Sequence, residues 1–325
     1  VNPVSIEHPP LLVTPEYEAR GAELEHKIYR IISSIPSYQG IGRDDIYKLV
    51  FMERVHLAEG KFAYEGKERG YLVAKLSAYL LMLETLEEPL TPELVLRLHD
   101  ANVTDLFTED EPHGVPKGFR TFADGGEAFG LDPQGPFPTV SVQGVKELLS
   151  RWKTYSYPDP ETGEPIYFLR QSMQSPPATI GREMEDGSFA FPSDPQIKLK
   201  PTRPQSCEAS CRAVIALYET AAKITELDIL KAVGRLCQDL DQLHLFVDGN
   251  IRTTGIDLLN RELLRNGLKP CALYDVNQID CLHLQRTQET DPPSIVEIIL
   301  EGQQWVDSLR ASGETRRTPL QDASC

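Results

Sequence analysis

A chain of 325 residues can bury a full hydrophobic core, and 40% hydrophobic with 25% charged residues excludes a disordered or fibrous protein. The net charge of −16 and pI near 4.9 exclude the basic footprint of a nucleic-acid binder and disfavour an anionic membrane surface. No apolar run approaches the roughly 18 residues that span a bilayer, and the cysteines Cys207, Cys211, Cys237, Cys271, Cys281 and Cys325 lack disulfide-framework spacing, so they read as reduced cytosolic thiols.

Val1 stands where a complete chain has Met, so a longer precursor is expected, and any targeting signal would lie in the missing part. Residues 1–14 are Pro-rich and read as an extended lead-in. Thr14 followed by Pro15 predicts a helix over 15–35. Ile46, Leu49, Val50 and Val55 fall close to helical period and predict a second over 44–57. A glycine- and charge-rich loop, 59–70, follows. Leu72, Val73, Leu76, Leu80 and Leu83 make 71–86 the most apolar helix, and Thr91-Pro92-Glu93 starts the next.

From 105 to 140 glycine and proline punctuate the chain, and 118–126 reads as a short hairpin with a Gly125-Gly126 turn. A helix is predicted over 142–152. The Pro-rich stretch 155–204 is too long for an ordinary loop and reads as an inserted element. Helices are predicted over 206–223 and 226–243, the second opened by a Thr225…Asp228 capping box. Cys207 and Cys211 lie one turn apart; with no second Cys or His pair at zinc spacing, they read as thiols rather than metal ligands. A helix over 254–266 closes at Gly267, a last one covers 294–309, and a polar tail runs over 311–325. The fold class is mainly α with one small hairpin. Its organisation is a helical region over 1–70 and a main domain over 71–310.

Between the helices over 226–243 and 254–266 stands His244-Leu-Phe-Val-Asp-Gly-Asn-Ile-Arg-Thr253. A glycine turn entering a helix N-terminus offers backbone N–H groups and the positive end of the helix dipole to a phosphate. Beside it sit an imidazole, a carboxylate and a guanidinium, a set suited to chemistry at a phosphate.

His244, Phe246, Asp248, Gly249, Asn250 and Arg252 fall on the signature of the Fic family, His-Pro-Phe, two residues, Gly-Asn-Gly-Arg. The order Leu98-His99, Phe119-Arg120, Gly125-Gly126 and the helix from Val145 to Trp152 is also similar to that family, as is the Leu-rich helix before Asn266-Gly267. The resemblance covers roughly residues 70–285, interrupted by the insertion. It implies a Fic-type helical bundle with a small β-hairpin flap that transfers part of a nucleotide to a Ser, Thr or Tyr hydroxyl of another protein. It further implies His244 as general base, Asp248 as ligand of Mg2+ (or Mn2+), and Gly249, Asn250, Ile251 and Arg252 as the phosphate site. Phe119, Arg120 and Thr121 are implied as the flap that aligns the target segment. The donor is expected to be UTP or ATP, or CDP-choline. The target is expected to be a host kinase or GTPase met by a secreted bacterial effector.

The departures are specific. Leu245 replaces proline. Ile251 replaces the second glycine, and a β-branched residue does not cheaply take φ > 0, so either the loop does not need that geometry or the anion site is altered. Gly255 stands where many members carry a second arginine, which leaves three readings: a triphosphate gripped by other residues, a diphosphate donor, or a degenerate domain that binds without catalysing. Glu59 precedes Gly60 where an inhibitory glutamate would lie, but Val55 breaks that pattern and the pair reads as a helix end.

Overall fold

The computed structural model describes residues 13–121, 141–148 apart from 142 and 145, 207–280, 282–286 and 293–317, with short strand segments between 127 and 199. The molecule is mainly α-helical. Seven principal helices are described: α1 (Pro15–Ile32), α2 (Tyr71–Glu84), α3 (Pro92–Val103), α4 (Cys207–Thr220), α5 (Glu226–Leu243), α6 (residues 250–265) and α7 (Ile295–Arg317). No helix among the described residues is long and apolar enough to cross a membrane.

Local chemistry sets most of the helix ends. Thr14 and Thr91 accept the N–H groups of Tyr17 and Leu94, each at 3.2 Å, with proline next to the cap. Thr225 and Asp228 form the expected reciprocal box, and Ser294 with Glu297 forms another at the start of α7. Gly267 takes φ +76° just past α6, where its N–H and that of Leu268 return to the carbonyls of Leu264 and Leu263.

Three expectations need correction. The helix over 44–57 is two 3₁₀ segments, Arg43–Val50 and Arg54–Glu59. Between them the backbone is diverted by tertiary bonds: the N–H of Met52 donates to Tyr71, that of Glu53 to Tyr64, and that of Arg54 to the carbonyl of Tyr274. The 59–70 loop contains a further 3₁₀ turn, Ala63–Gly66. Of the expected hairpin, residues 122–126 lie outside the described residues; 118–121 is not strand, and the strand that follows, Glu127–Gly130, pairs with Gln196–Leu199 rather than with a local partner. The helix over 142–152 is described only in part, within 143–148, and much of the 155–204 insertion lies outside the described residues.

Helix α6 is the axis of the molecule. It packs against α2, α3 and α5, and every residue from 252 to 263 is buried. Its first turn, Asn250–Arg252, leads into a π-helical stretch, Thr253–Leu258, before α-helical geometry resumes over Leu259–Arg265. A π turn shifts the backbone ladder by one residue and is a recurrent mark of functional sites. Side chains compensate here: Thr253, Thr254 and Asn260 donate to the carbonyls of Gly249, Asn250 and Ile256. Helix α1 packs on α2, and its Tyr17 hydroxyl donates to Glu65 at 2.5 Å. Glu65 in turn accepts the N–H groups of Gly70 and Leu72, which open α2.

Candidate active site

His244 ends α5 in the left-handed region, φ 50° and ψ 57°, with its N–H on the carbonyl of Asp241 at 2.9 Å. Few residues with a Cβ adopt this conformation, and it turns the chain sharply out of the helix. The imidazole is half-buried, whereas Leu245 and Phe246 behind it are buried.

The loop that follows is clamped from several sides. Arg120, 3% exposed, donates from its backbone N–H to the carbonyl of Leu245 and from Nη2 to that of Phe246, both at 2.9 Å. The Phe246 ring lies between His99 and Phe119, with centroids 3.8 and 5.4 Å away and planes nearly parallel. His99 Nε2 donates to the carbonyl of Asp248 at 3.0 Å. Asn250 staples the loop to itself, its Oδ1 accepting from Phe246 N–H and its Nδ2 donating to the Phe246 carbonyl. Of the expected flap residues, Phe119 and Arg120 therefore face the motif loop, while Thr121 is exposed.

Gly249 caps the start of α6 at φ +77°, and a Cβ there would meet Val103 Cγ1 at 3.0 Å and the His99 ring at 3.6 Å. Replacing Gly249 by alanine is expected to destabilise the fold by roughly 1–3 kcal/mol, read as a lower denaturation midpoint. Ile251 is helical, so the backbone does not take positive φ where the usual pattern has its second glycine. Its side chain joins the core. A Cβ on the buried Gly255 would touch Ile251, Val276 and Ile279 at 3.4 Å each, so position 255 points into apolar packing.

Arg252 is 2% exposed and sits between two carboxylates, Asp248 at 3.0 Å and Glu68. Burial alone would lower its pKa, but Asp248 and Glu68 more than offset it and the net shift is upward. Burial pushes the Glu68 carboxyl up, more than Arg252 draws it down. Glu59, in contrast, pairs with His56 and ends its turn at Gly60. Asp248 is partly exposed and accepts the N–H of Gly249 through Oδ1. Among the described residues no three His, Cys, Asp or Glu side chains converge on a metal position, Cys207 and Cys211 included. Burial pushes the Cys207 thiol up to about 11 and Cys211 higher still. A lone accessible carboxylate does fit Mg2+, which takes one or two protein ligands and completes its shell with phosphate and water oxygens.

Below His244, Asp241 and Asp280 hydrogen-bond to one another, and Thr254 donates to Asp241. Burial pushes Asp241 up to about 6, and burial with the neighbouring acid pushes Asp280 well up. Both folded pKa values lie above the unfolded value of about 3.9, so the folded state holds the extra proton. The stability from this pair is fully present below about pH 4 and is lost as pH rises through about 6 and beyond. Asp280→Asn supplies the donor permanently. It is expected to flatten the fall in urea midpoint between about pH 4 and about pH 7.5.

Glu68, Lys75 and Asp257 were not legible as site residues. The one signal was a lone lysine in the most apolar helix; Glu68 falls within the glycine- and charge-rich 59–70 loop, where nothing singles it out. No family model matches the chain, and no curated protein matches it.

Proposed function

We propose that the chain transfers a nucleoside monophosphate, UMP first and AMP next, from a nucleotide to a Ser, Thr or Tyr hydroxyl of a target protein, a host signalling kinase being the preferred class. The observation that carries this reading is the clamped turn from His244 to Arg252, with a half-buried imidazole at one end and a carboxylate–guanidinium pair at the other. The resemblance of the motif to the Fic signature supports the same reading.

In this mechanism His244 takes the proton of the incoming hydroxyl, whose oxygen attacks the α-phosphorus. The bond to the β-phosphate breaks and pyrophosphate leaves. The backbone N–H groups at Asn250 and Ile251 open α6, where the first turn has no internal partners and the dipole favours an anion. Arg252 pairs with a phosphate oxygen as Glu68 is displaced. Asp248 would hold Mg2+, which supplies charge neutralisation on the phosphates. The Thr121 end of the flap is left to the target segment, and Phe119 with Arg120 keeps that segment attached to the loop.

The apolar surroundings of Gly255 favour a second reading, in which the donor has no third phosphate to grip: phosphocholine transfer from CDP-choline to a GTPase. The test is incubation with Mg2+, a candidate kinase or GTPase, and UTP, ATP or CDP-choline, followed by intact-mass measurement of the target. A UMP increment is expected; an AMP or phosphocholine increment reassigns the donor. No increment on any target would leave a nucleotide- or partner-binding module instead of an enzyme.

A further inference from the structure

A fully buried polar cluster lies under the motif loop, joining α2, α3 and α6. Lys75 Nζ donates to Asn102 Oδ1 at 2.7 Å, to Asp257 Oδ2 at 2.9 Å and to the backbone carbonyl of Arg252 at 3.4 Å. Asn102 Nδ2 donates to Asp257 Oδ2 at 2.6 Å and to Thr253 Oγ1 at 3.2 Å. The side chains of Lys75 and Asp257 are 0% exposed.

Such a pair is a poor device for stability. Burial pushes the ammonium down and the carboxyl up, and the nearby Arg252 cation disfavours a second positive charge. Apolar residues of similar volume commonly hold a fold as well or better, whereas removing one partner alone is costly. What the cluster does fix is geometry. Four of these five bonds end on residues 252, 253 and 257, within or next to the π-helical stretch, and the fifth, from Lys75 to Asn102, ties α2 to α3.

We propose that Lys75 is a positioning residue for Arg252: with Asn102 and Asp257 it locks the widened turn so that the Arg252 carbonyl faces inward onto the ammonium and its guanidinium is delivered to the position beside Asp248. Ordinary α-helical bonding over 253–258 would rotate the first turn, Arg252 included, about the helix axis relative to the rest of α6, and carry the Arg252 side chain away from Glu68. The inference rests on the proposed function only where Arg252 is taken as a phosphate partner; the arrangement of its side chain is measurable without a nucleotide.

The experiment combines Lys75→Met with Asp257→Asn, a change that leaves no uncompensated buried charge and keeps an acceptor for Asn102. Phenylglyoxal labelling of Arg252, read by peptide mass, reports how the guanidinium is held. Binding of UTP, ATP and CDP-choline with Mg2+ reports the phosphate site. The double variant is expected to unfold within a few degrees of the parent, to label Arg252 severalfold faster, and to bind its donor at least tenfold more weakly. Asp257→Asn alone keeps the bond from Lys75 to the Arg252 carbonyl; it is expected to lose stability while Arg252 stays slow to label, a contrast with Lys75→Met alone that decides the matter even if the double variant does not fold. Unchanged labelling without Lys75, or equal acceleration in Asp257→Asn, overturns the proposal. A parent protein that binds none of the nucleotides while its labelling responds to Lys75 overturns the functional reading and leaves the positioning role standing.

Discussion

Replacing His244 by alanine is expected to reduce transfer to the target protein by roughly 10²–10⁴-fold, the usual contribution of a positioned general base. The imidazole sits half-buried at the start of the turn, and imidazole is a side chain suited to proton abstraction near neutral pH. The loss must be separated from a change in backbone, because His244 holds a left-handed conformation that alanine tolerates poorly. His244→Gly serves as the control, since glycine keeps φ near 50° without strain. Both variants should lose the mass increment alike and retain the circular dichroism of the parent. An increment that persists undiminished in His244→Gly would remove the histidine from the chemistry.

Glu68→Gln is expected to strengthen donor binding by roughly 10- to 100-fold, the range typical of a coupling between two occupants of one site. Glu68 holds Arg252 from outside the motif, and under the proposed function a donor phosphate takes its place. Two features make the glutamate the partner that yields: burial pushes its own carboxyl up, and Asp248 on the far side of Arg252 is a like charge. Glutamine keeps the shape and one hydrogen bond but neither repels the phosphate nor competes as an ion. Calorimetric titration of both proteins with the productive nucleotide and Mg2+ measures the gain. Equal affinities would mean that the donor does not use Arg252, or that the ion pair stays closed when the donor is bound.

The parts of this architecture that sequence makes legible are those whose cause is local. The bounds of α5 follow from the Thr225 box and the apolar stripe that ends at Leu243, and the end of α6 follows from Gly267. The 43–59 region carries the same apolar spacing but does not form one helix. The deciding bonds come from Tyr64, Tyr71 and Tyr274, and no window of sequence around 43–59 contains all three. The motif itself was legible as a set of residue types, and the structure draws its carboxylate and guanidinium into contact. Its surroundings were not: Arg120, expected on a flap for the target, is buried against the loop, and α6 begins at Asn250 rather than at the expected 254. Burial of Lys75 contradicts every composition-based expectation for lysine, and only its partners Asn102 and Asp257 explain it.

The contacts that hold Arg252 and the π-helical stretch have a consequence for how the protein comes into being. Glu68 meets Arg252 across 184 residues of chain, and Lys75 meets Asp257 across 182. Closing such loops costs chain entropy before any contact rewards it, so these pairs belong to the late, slow steps of folding. A nascent chain that has not yet released residue 257 has not assembled the proposed phosphate site, whatever helices it has already formed. Under the proposed function, nucleotide binding reports finished folding, and in a refolding experiment it should lag behind the recovery of helical signal.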